Sequence, residues 1–196
     1  MTVTATLSLT DGRYLARLAA DAVHARLTGS PLAATIPLDS PLRRDGASFV
    51  TLERAGALRG CVGSLEPVQP LHRDVVRNAV QAMRDPRLPP VTAEDWPGLD
   101  VKVSVLGRPE PIAAESRSGL LAVLRPGEDG LILRDGTRRA TFLPAVWAKL
   151  PDVEQFVDAL LRKGGWAAGE WPAQVEALRY TSTEYRDAAP RPQISA

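Results

Sequence analysis

Hydrophobic residues recur at helical spacing in three segments, which predicts three amphipathic helices. The first is expected to be capped by Thr10 and to end at Gly29, with the apolar residues Leu15, Leu18, Ala19, Ala22, Val23 and Leu27. The second begins at Pro70, with the apolar residues Val75, Val76, Ala79, Val80 and Met83. The third follows the capping residue Asp152, with the apolar residues Val153, Phe156, Val157, Leu160 and Leu161.

Short apolar runs between these helices predict strands. Two pairs of runs are joined by turn residues and predict antiparallel hairpins: residues 48–54 with 58–65 around Ala55-Gly56, and residues 131–134 with 137–143 around Asp135-Gly136. Val101, Val103 and Val105 alternate with polar residues, as in a strand with one buried face. One closing strand is expected within residues 175–185. The pattern therefore predicts an α+β fold with a mainly antiparallel sheet flanked by helices.

Composition and charge restrict the partners. The 196 residues include 24 Lys and Arg against 23 Asp and Glu, so there is no excess of positive charge of the kind that nucleic-acid binding usually requires. No apolar segment has the length of a membrane span, and no secretory signal is recognised. We expect a cytoplasmic protein with no membrane or nucleic-acid partner, folded as one domain over residues 8–187 with a mobile tail at 188–196.

The most unusual stretch surrounds Cys61, the single cysteine, which lies between Gly60 and Gly63. In a regular strand Arg59, Cys61 and Gly63 would share one face, whereas a bulge at Gly60 would break that alternation. An ordinary cysteine has a pKa of about 8.5, and a neighbouring arginine favours the reactive thiolate. Cys61 and Arg59 are therefore candidate catalytic residues. The alternative is an inert Cys61 that packs as a small apolar side chain.

His72 is the third candidate catalytic residue. It is expected in the first turn of the second helix, on the apolar face, where the helix dipole favours the neutral imidazole that a general base requires. The alternative is a histidine that hydrogen-bonds the loop at residues 66–69. The candidate ligand-binding residues nearby are Gly60, Gly63, Ser64, Glu66, Asp85 and Arg87. No motif for a metal or a cofactor is recognised, so neither is predicted.

Several blocks of the chain resemble the AMMECR domain family. Its hallmark hexapeptide is closely similar to residues 58–63, Leu-Arg-Gly-Cys-Val-Gly, with isoleucine usual in place of Val62. Three more blocks follow in family order: residues 85–90 (Asp-Pro-Arg-Leu-Pro-Pro), 141–144 (Thr-Phe-Leu-Pro) and 160–165 (Leu-Leu-Arg-Lys-Gly-Gly). The other departures from the family pattern are Leu88, Ala145 and Gly164.

The resemblance implies an α+β domain with a smaller subdomain. It also implies a bacterial or archaeal AmmeMemoRadiSam system, in which the partners are a Memo-like protein and a radical S-adenosylmethionine enzyme. The resemblance supplies no settled reaction, so two hypotheses stay open. One is an enzyme that uses Cys61 as a nucleophile on a small-molecule or protein substrate, assisted by Arg59 and His72. The other is a non-catalytic binding or scaffold module that acts beside those partners.

Overall fold

The computed structural model describes residues 7–114, 116–167, 171–172 and 174–194. In chain order its helices and strands are α1 (Leu9–Thr28), β1 (Ser48–Arg54), β2 (Ala57–Gly63), α2 (Leu71–Ala82), β3 (Leu99–Leu106), β4 (Glu110–Ile112), α3 (Arg117–Val123), β5 (Gly130–Asp135), β6 (Arg138–Phe142), α4 (Val153–Lys163), β7 (Glu176–Tyr180) and β8 (Ser182–Asp187). None of the described helices is long and apolar enough to cross a membrane.

The described chain divides into two compact units. Residues 107–182 form the smaller unit, and the described residues on both sides of that segment form the larger unit. The strands form two four-stranded sheets, in the orders β2-β1-β3-β8 and β4-β7-β5-β6. The predicted α+β class with antiparallel pairing and a smaller subdomain is confirmed, with the strands shared between two sheets.

In the larger unit α1 and α2 cover one face of the sheet. Apolar side chains of both helices, such as Leu15 and Val75, are fully buried with Val50, Leu52 and Val101 of the strands. These strand residues alternate with half-buried ones, as expected for a sheet with one face in a core. The prediction from periodicity is therefore confirmed for both helices and for Val101 and Val103 of β3, but the alternation ends there, because Ser104 is buried and Val105 is half-buried.

The first helix begins earlier than its sequence pattern predicts. Ser8 adopts an extended backbone conformation, and its hydroxyl accepts a hydrogen bond from the Asp11 N–H, so that Ser8 caps α1. Thr10, the predicted cap, lies inside the helix. The predicted end is confirmed, since Gly29 adopts the left-handed conformation with φ of 71°.

The closing strand predicted within residues 175–185 is wrong as a single element. It is two strands that belong to different sheets: β7 pairs with β4 and β5 in the smaller unit, whereas β8 lies beside β3. Thr181 separates them. Both pieces have strand composition, so local propensity contains no signal for the change of sheet.

The smaller unit packs α3 and α4 with its sheet. Its core includes Leu131 and Leu133 of β5 together with Phe156 and Leu160 of α4. The Trp147 ring stacks on Phe156, with ring centroids 3.7 Å apart. Asp152 caps α4 as predicted, because its carboxylate accepts from the Gln155 N–H.

The segment from residue 188, for which the sequence predicts mobility, makes several contacts in its described part. The Arg191 Nε donates to the Leu99 carbonyl at 2.9 Å, and its guanidinium lies 4.6 Å from the centroid of the Trp96 ring. The Ala189 N–H donates to the Asp100 carboxylate at 2.9 Å. These contacts oppose free motion of residues 189–191, and residues 195–196 lie outside the described part.

Candidate functional site

Cys61 lies on β2, the edge strand of the first sheet, and the strand is irregular beside it. Thr51 of β1 is opposite Cys61 and Leu52 is opposite Gly60, but the next residue of β1 is opposite Leu58. Arg59 is therefore the extra residue of a β-bulge, one position before the glycine considered in the sequence analysis. The bulge breaks the alternation that would have placed Arg59 on the same face as Cys61.

Arg59 is directed to Asp95 in the structure. Its Nη2 donates to the Asp95 carboxylate at 2.8 Å, and Arg54 donates to the other carboxylate oxygen at 3.1 Å. Burial alone would raise the pKa of Asp95, but hydrogen bonds from the Thr92 N–H and from both arginines lower it overall. The described ion pair of Arg59 therefore anchors the bulge.

Gly60 and Gly63 leave space for other parts of the same chain. A Cβ atom at Gly60 would lie 1.9 Å from the Ala82 carbonyl oxygen at the end of α2. A Cβ atom at Gly63 would lie 2.3 Å from the Phe49 ring. Any side chain at either position would require a backbone or ring to move. The close approach that glycines in a strand indicate is therefore made by the chain itself, which accounts for both glycines without a ligand.

Asp85 and Arg87 bind the backbone of Cys61 at the open edge of β2. The Cys61 N–H donates to Asp85 Oδ2 at 3.0 Å, and Arg87 Nη2 donates to the Cys61 carbonyl at 3.1 Å. Arg87 also donates to both carboxylate oxygens of Asp85, at 2.9 and 2.6 Å. Two side chains thus satisfy the peptide groups that a further strand would otherwise pair with. We call Asp85 and Arg87 the edge clamp.

The charges of the edge clamp stabilise each other. Hydrogen bonds from Arg87 hold the pKa of Asp85 far below its usual range, and the Cys61 and Arg87 N–H groups add to this effect against the opposing cost of burial. Hydrogen bonds to the Asp85 carboxylate raise the pKa of Arg87 against the opposing cost of burial, and a negative charge on Cys61 would add to that increase. Asp85 is thus an ionised hydrogen-bond acceptor, which makes it unsuitable as a general base at neutral pH.

The Cys61 side chain is half-buried and points away from α2. Because Gly60 faces the end of α2, the alternation of a strand turns Cys61 to the opposite face of the sheet. There the Thr51 hydroxyl lies 3.4 Å from the sulfur and donates to it. A hydroxyl donor and the Arg87 cation both favour a negative sulfur. The structure thus brings the Arg87 cation to the backbone of Cys61, whereas Arg59 pairs with Asp95.

His72 and the loop residues have other described contacts. His72 Nδ1 lies 2.9 Å from the Leu42 carbonyl, which can only accept, so Nδ1 carries a hydrogen and donates it to that carbonyl. Ser64 Oγ donates to Asp74, a short hydrogen bond. Glu66 is exposed, and its carbonyl accepts from the Val68 N–H. The described contacts therefore group Cys61 with Asp85 and Arg87, and place His72 beside Leu42.

A buried polar cluster that the sequence pattern did not predict lies beside this site. Asp74 and Asn78 of α2 are fully buried, and Asp74 accepts from the Ser48 N–H at 2.9 Å and from Asn78 Nδ2 at 2.9 Å. They occur in the buried stripe Leu71, Asp74, Val75, Asn78, Ala79 and Ala82. Their spacing of four residues within an apolar stripe was the available signal.

Within the described ranges, no group of three or more His, Cys, Asp or Glu side chains is arranged to hold a metal ion.

Comparisons with known proteins match most of the chain. The family model described as AMMECR1 matches residues 16–185. A protein of Methanothermobacter thermautotrophicus is 41% identical over 165 residues, which cover 82% of this chain and 85% of that protein. A protein of Thermotoga maritima is 36% identical over 155 residues, covering 78% of this chain and 83% of that protein. The crystal structure of an uncharacterized protein from Pyrococcus horikoshii has a TM-score of 0.82 and 32% identity, covering 91% of this chain and 92% of that one.

Proposed function

The chain belongs to the AMMECR1 family, and from this premise we propose that Cys61 acts as a thiolate nucleophile toward an electrophilic small molecule or protein. The observation that carries the proposal is the environment of the sulfur. It is half-buried, it accepts the Thr51 hydroxyl at 3.4 Å, and it interacts electrostatically with Arg87. These are the features that favour a reactive cysteine over an inert one.

The proposal gives each neighbouring residue a distinct role. Arg87 stabilises the thiolate, and Asp85 holds Arg87 and the Cys61 N–H in place. The sulfur forms a bond to the electrophilic atom while the leaving group departs with its electron pair. Arg59 acts as a positioning residue through Asp95. A preformed thiolate requires no general base, so His72 has no assigned step.

Alkylation of Cys61 tests this proposal directly, because the chain has one cysteine and mass spectrometry reads the reaction without ambiguity. We expect iodoacetamide to react faster at pH 7 with the folded chain than with the chain in denaturant, where the thiol has its ordinary pKa of about 8.5. Arg87→Gln should slow the folded reaction by about fivefold, since one cation near a charged group contributes on the order of 1 kcal/mol.

The matched control is Arg73→Gln, which removes an exposed arginine of α2 and should leave the alkylation rate unchanged. His72→Asn should also leave the alkylation rate unchanged. A marked loss of rate would indicate that His72 acts as a general base. If the folded protein reacts no faster than the denatured chain at pH 7, the proposal that Cys61 is an activated nucleophile is wrong.

A non-catalytic binding or scaffold module is the second candidate. Close contacts with Ala82 and Phe49 explain why positions 60 and 63 are glycine. Much of the hexapeptide is therefore accounted for without a reaction, and this observation favours the second candidate. The partners proposed for this role are a Memo-like protein and a radical S-adenosylmethionine enzyme in the cytoplasm, where thiols stay reduced. Cys61→Ser discriminates between the two candidates. A scaffold should retain partner binding and biological activity, whereas an enzyme should retain binding alone.

A further inference from the structure

A groove runs along the larger unit beside the C-terminal ends of α1 and α2. It consists of two depressions of about 520 and 320 Å³, and both are lined by Arg26 of α1 and Val80 of α2. Apolar side chains line both parts, with Ala25 and Val76 in the smaller depression and Pro86 in the larger. We call this feature the α1–α2 groove. It is separate from the sulfur of Cys61, which faces the other side of the sheet.

Two arginines give the groove a positive charge. Arg26 and Arg84 are exposed and line it, and none of the described lining residues is acidic. Within the described part of the chain, the side chains of Arg26 and Arg84 make no hydrogen bond or ion pair. In contrast, Arg17 and Arg77 on the same two helices each pair with an aspartate.

The helix ends do not cancel this charge. Arg26 lies in the last turn of α1, and Arg84 follows the end of α2 by two residues. A helix C-terminus carries roughly half a unit of negative charge, so a full positive charge beside it leaves a net positive field. The groove therefore combines an apolar surface with two cations that are available to an anionic group.

We propose that the α1–α2 groove binds an acidic amphipathic segment of a partner protein. A depression that is open along two packed helices suits a polypeptide segment, because small-molecule sites enclose most of their ligand. The apolar face of the segment would lie on Val76 and Val80, and its carboxylates would pair with Arg26 and Arg84. This inference does not depend on the reactivity of Cys61.

The position of the groove connects it to the edge clamp. Pro86 lies between Asp85 and Arg87 in the sequence, and Val62, which also lines the groove, follows Cys61. A segment bound there contacts the backbone on which the clamp is built, although it does not contact the sulfur. Partner binding at this surface would place the partner beside the strand that carries Cys61.

Titration of the isotope-labelled full chain with a designed peptide tests the inference by NMR. The probe is a 12-residue amphipathic helix with leucines on one face and glutamates beside them, and its analogue has lysine at every glutamate. We expect the acidic peptide to shift amide signals of residues 22–30 and 76–85. Arg26→Glu with Arg84→Glu should weaken binding by about tenfold, since each pair replaced by repulsion changes affinity a few-fold. Ala25→Trp, which fills the smaller depression without altering charge, should also weaken binding.

The matched control is Arg73→Glu, a charge reversal on an exposed residue of α2 that does not line the groove, and it should bind as the unmodified chain does. Thermal melting confirms that each variant is folded. The inference is overturned if the lysine peptide binds equally well, if the shifted signals lie elsewhere, or if the double reversal has no effect. It is also overturned if the groove instead mediates self-association in sedimentation or binds anionic lipid vesicles in place of the acidic peptide.

Discussion

Two buried carboxylates hold the β1–β2 hairpin, one through mostly neutral donors and the other chiefly through a neighbouring cation. Asp74 lies in the first turn of α2 and accepts from both the N–H and the hydroxyl of Ser48, at 2.9 and 2.8 Å. Asp85 follows the end of α2 and accepts from the Cys61 N–H and from Arg87. Both carboxylates reach a strand far away in the sequence, since Ser48 is 26 residues from Asp74 and Cys61 is 24 residues from Asp85, and the second fixes one peptide group at a strand edge.

The two carboxylates therefore have different roles: Asp74 contributes mainly to folding stability, and Asp85 also positions the backbone at Cys61. Asp74 is fully buried, so loss of its carboxylate would leave several donors unsatisfied in the core. The edge clamp is built on Arg87, whose side chain is 62% exposed, so water can replace part of what is lost there. Substitutions at Asp74 should therefore cost more stability than substitutions at the clamp, which should also change the environment of Cys61.

The largest effect is expected for Asp74→Ala. Removing a fully buried carboxylate with several donors should lower the free energy of unfolding by about 4 kcal/mol. Urea denaturation measures this change. Asp21→Ala, which removes an exposed carboxylate paired with Arg17, is the control and should cost less than about 0.5 kcal/mol. Equal losses in the two variants would contradict the importance of the buried cluster.

Gly60→Ala tests whether close packing holds the hairpin as firmly as the carboxylates do. The added Cβ would lie 1.9 Å from the Ala82 carbonyl oxygen, so α2 must shift, at a cost of about 3 kcal/mol. The control is Gly98→Ala, where the nearest atom lies 3.6 Å away and a change below about 1 kcal/mol is expected. Similar denaturation midpoints for the two variants would refute the packing explanation.

Asp85→Asn should lower the free energy of unfolding by about 2 kcal/mol at pH 7. The folded pKa of Asp85 is depressed, so its stabilisation is complete above the unfolded pKa of about 3.9 and is lost as pH falls toward the folded value. The difference between the unmodified chain and the variant should therefore shrink below about pH 4. Urea midpoints between pH 7 and pH 3 measure it, and a constant difference would show that ionisation of Asp85 does not contribute.

The smallest effects are expected for the arginine partners of the two carboxylates. These effects test most directly which carboxylate depends on its cation. Arg77→Ala removes one exposed donor of Asp74, whose other donors remain, and should cost about 0.5 kcal/mol. Arg87→Ala removes the cation of the clamp and should cost about 1.5 kcal/mol. Denaturation midpoints rank the two variants. The reverse order would mean that Asp74, and not Asp85, depends on its cation.

The elements that follow local rules could be predicted from the sequence. Ala55 and Gly56 both adopt positive φ, 49° and 78°, in the turn of the first hairpin, and Asp152 caps α4 through its own side chain. Each feature depends on residues a few positions apart. The candidate site was predicted only in part, because the sequence indicated Cys61, Asp85 and Arg87 but not that Arg87 binds the Cys61 backbone while Arg59 pairs with Asp95.

The sequence by itself determined the helices, the hairpins, the fold class and the family, since periodicity and turn chemistry are encoded over a few residues. Only the tertiary structure decided that Arg59 pairs with Asp95, that β7 and β8 join different sheets, and that two buried polar residues of α2 hold the hairpin. The physical reason is that each of these contacts joins segments remote in sequence, or depends on a one-residue bulge that reverses which face a side chain occupies.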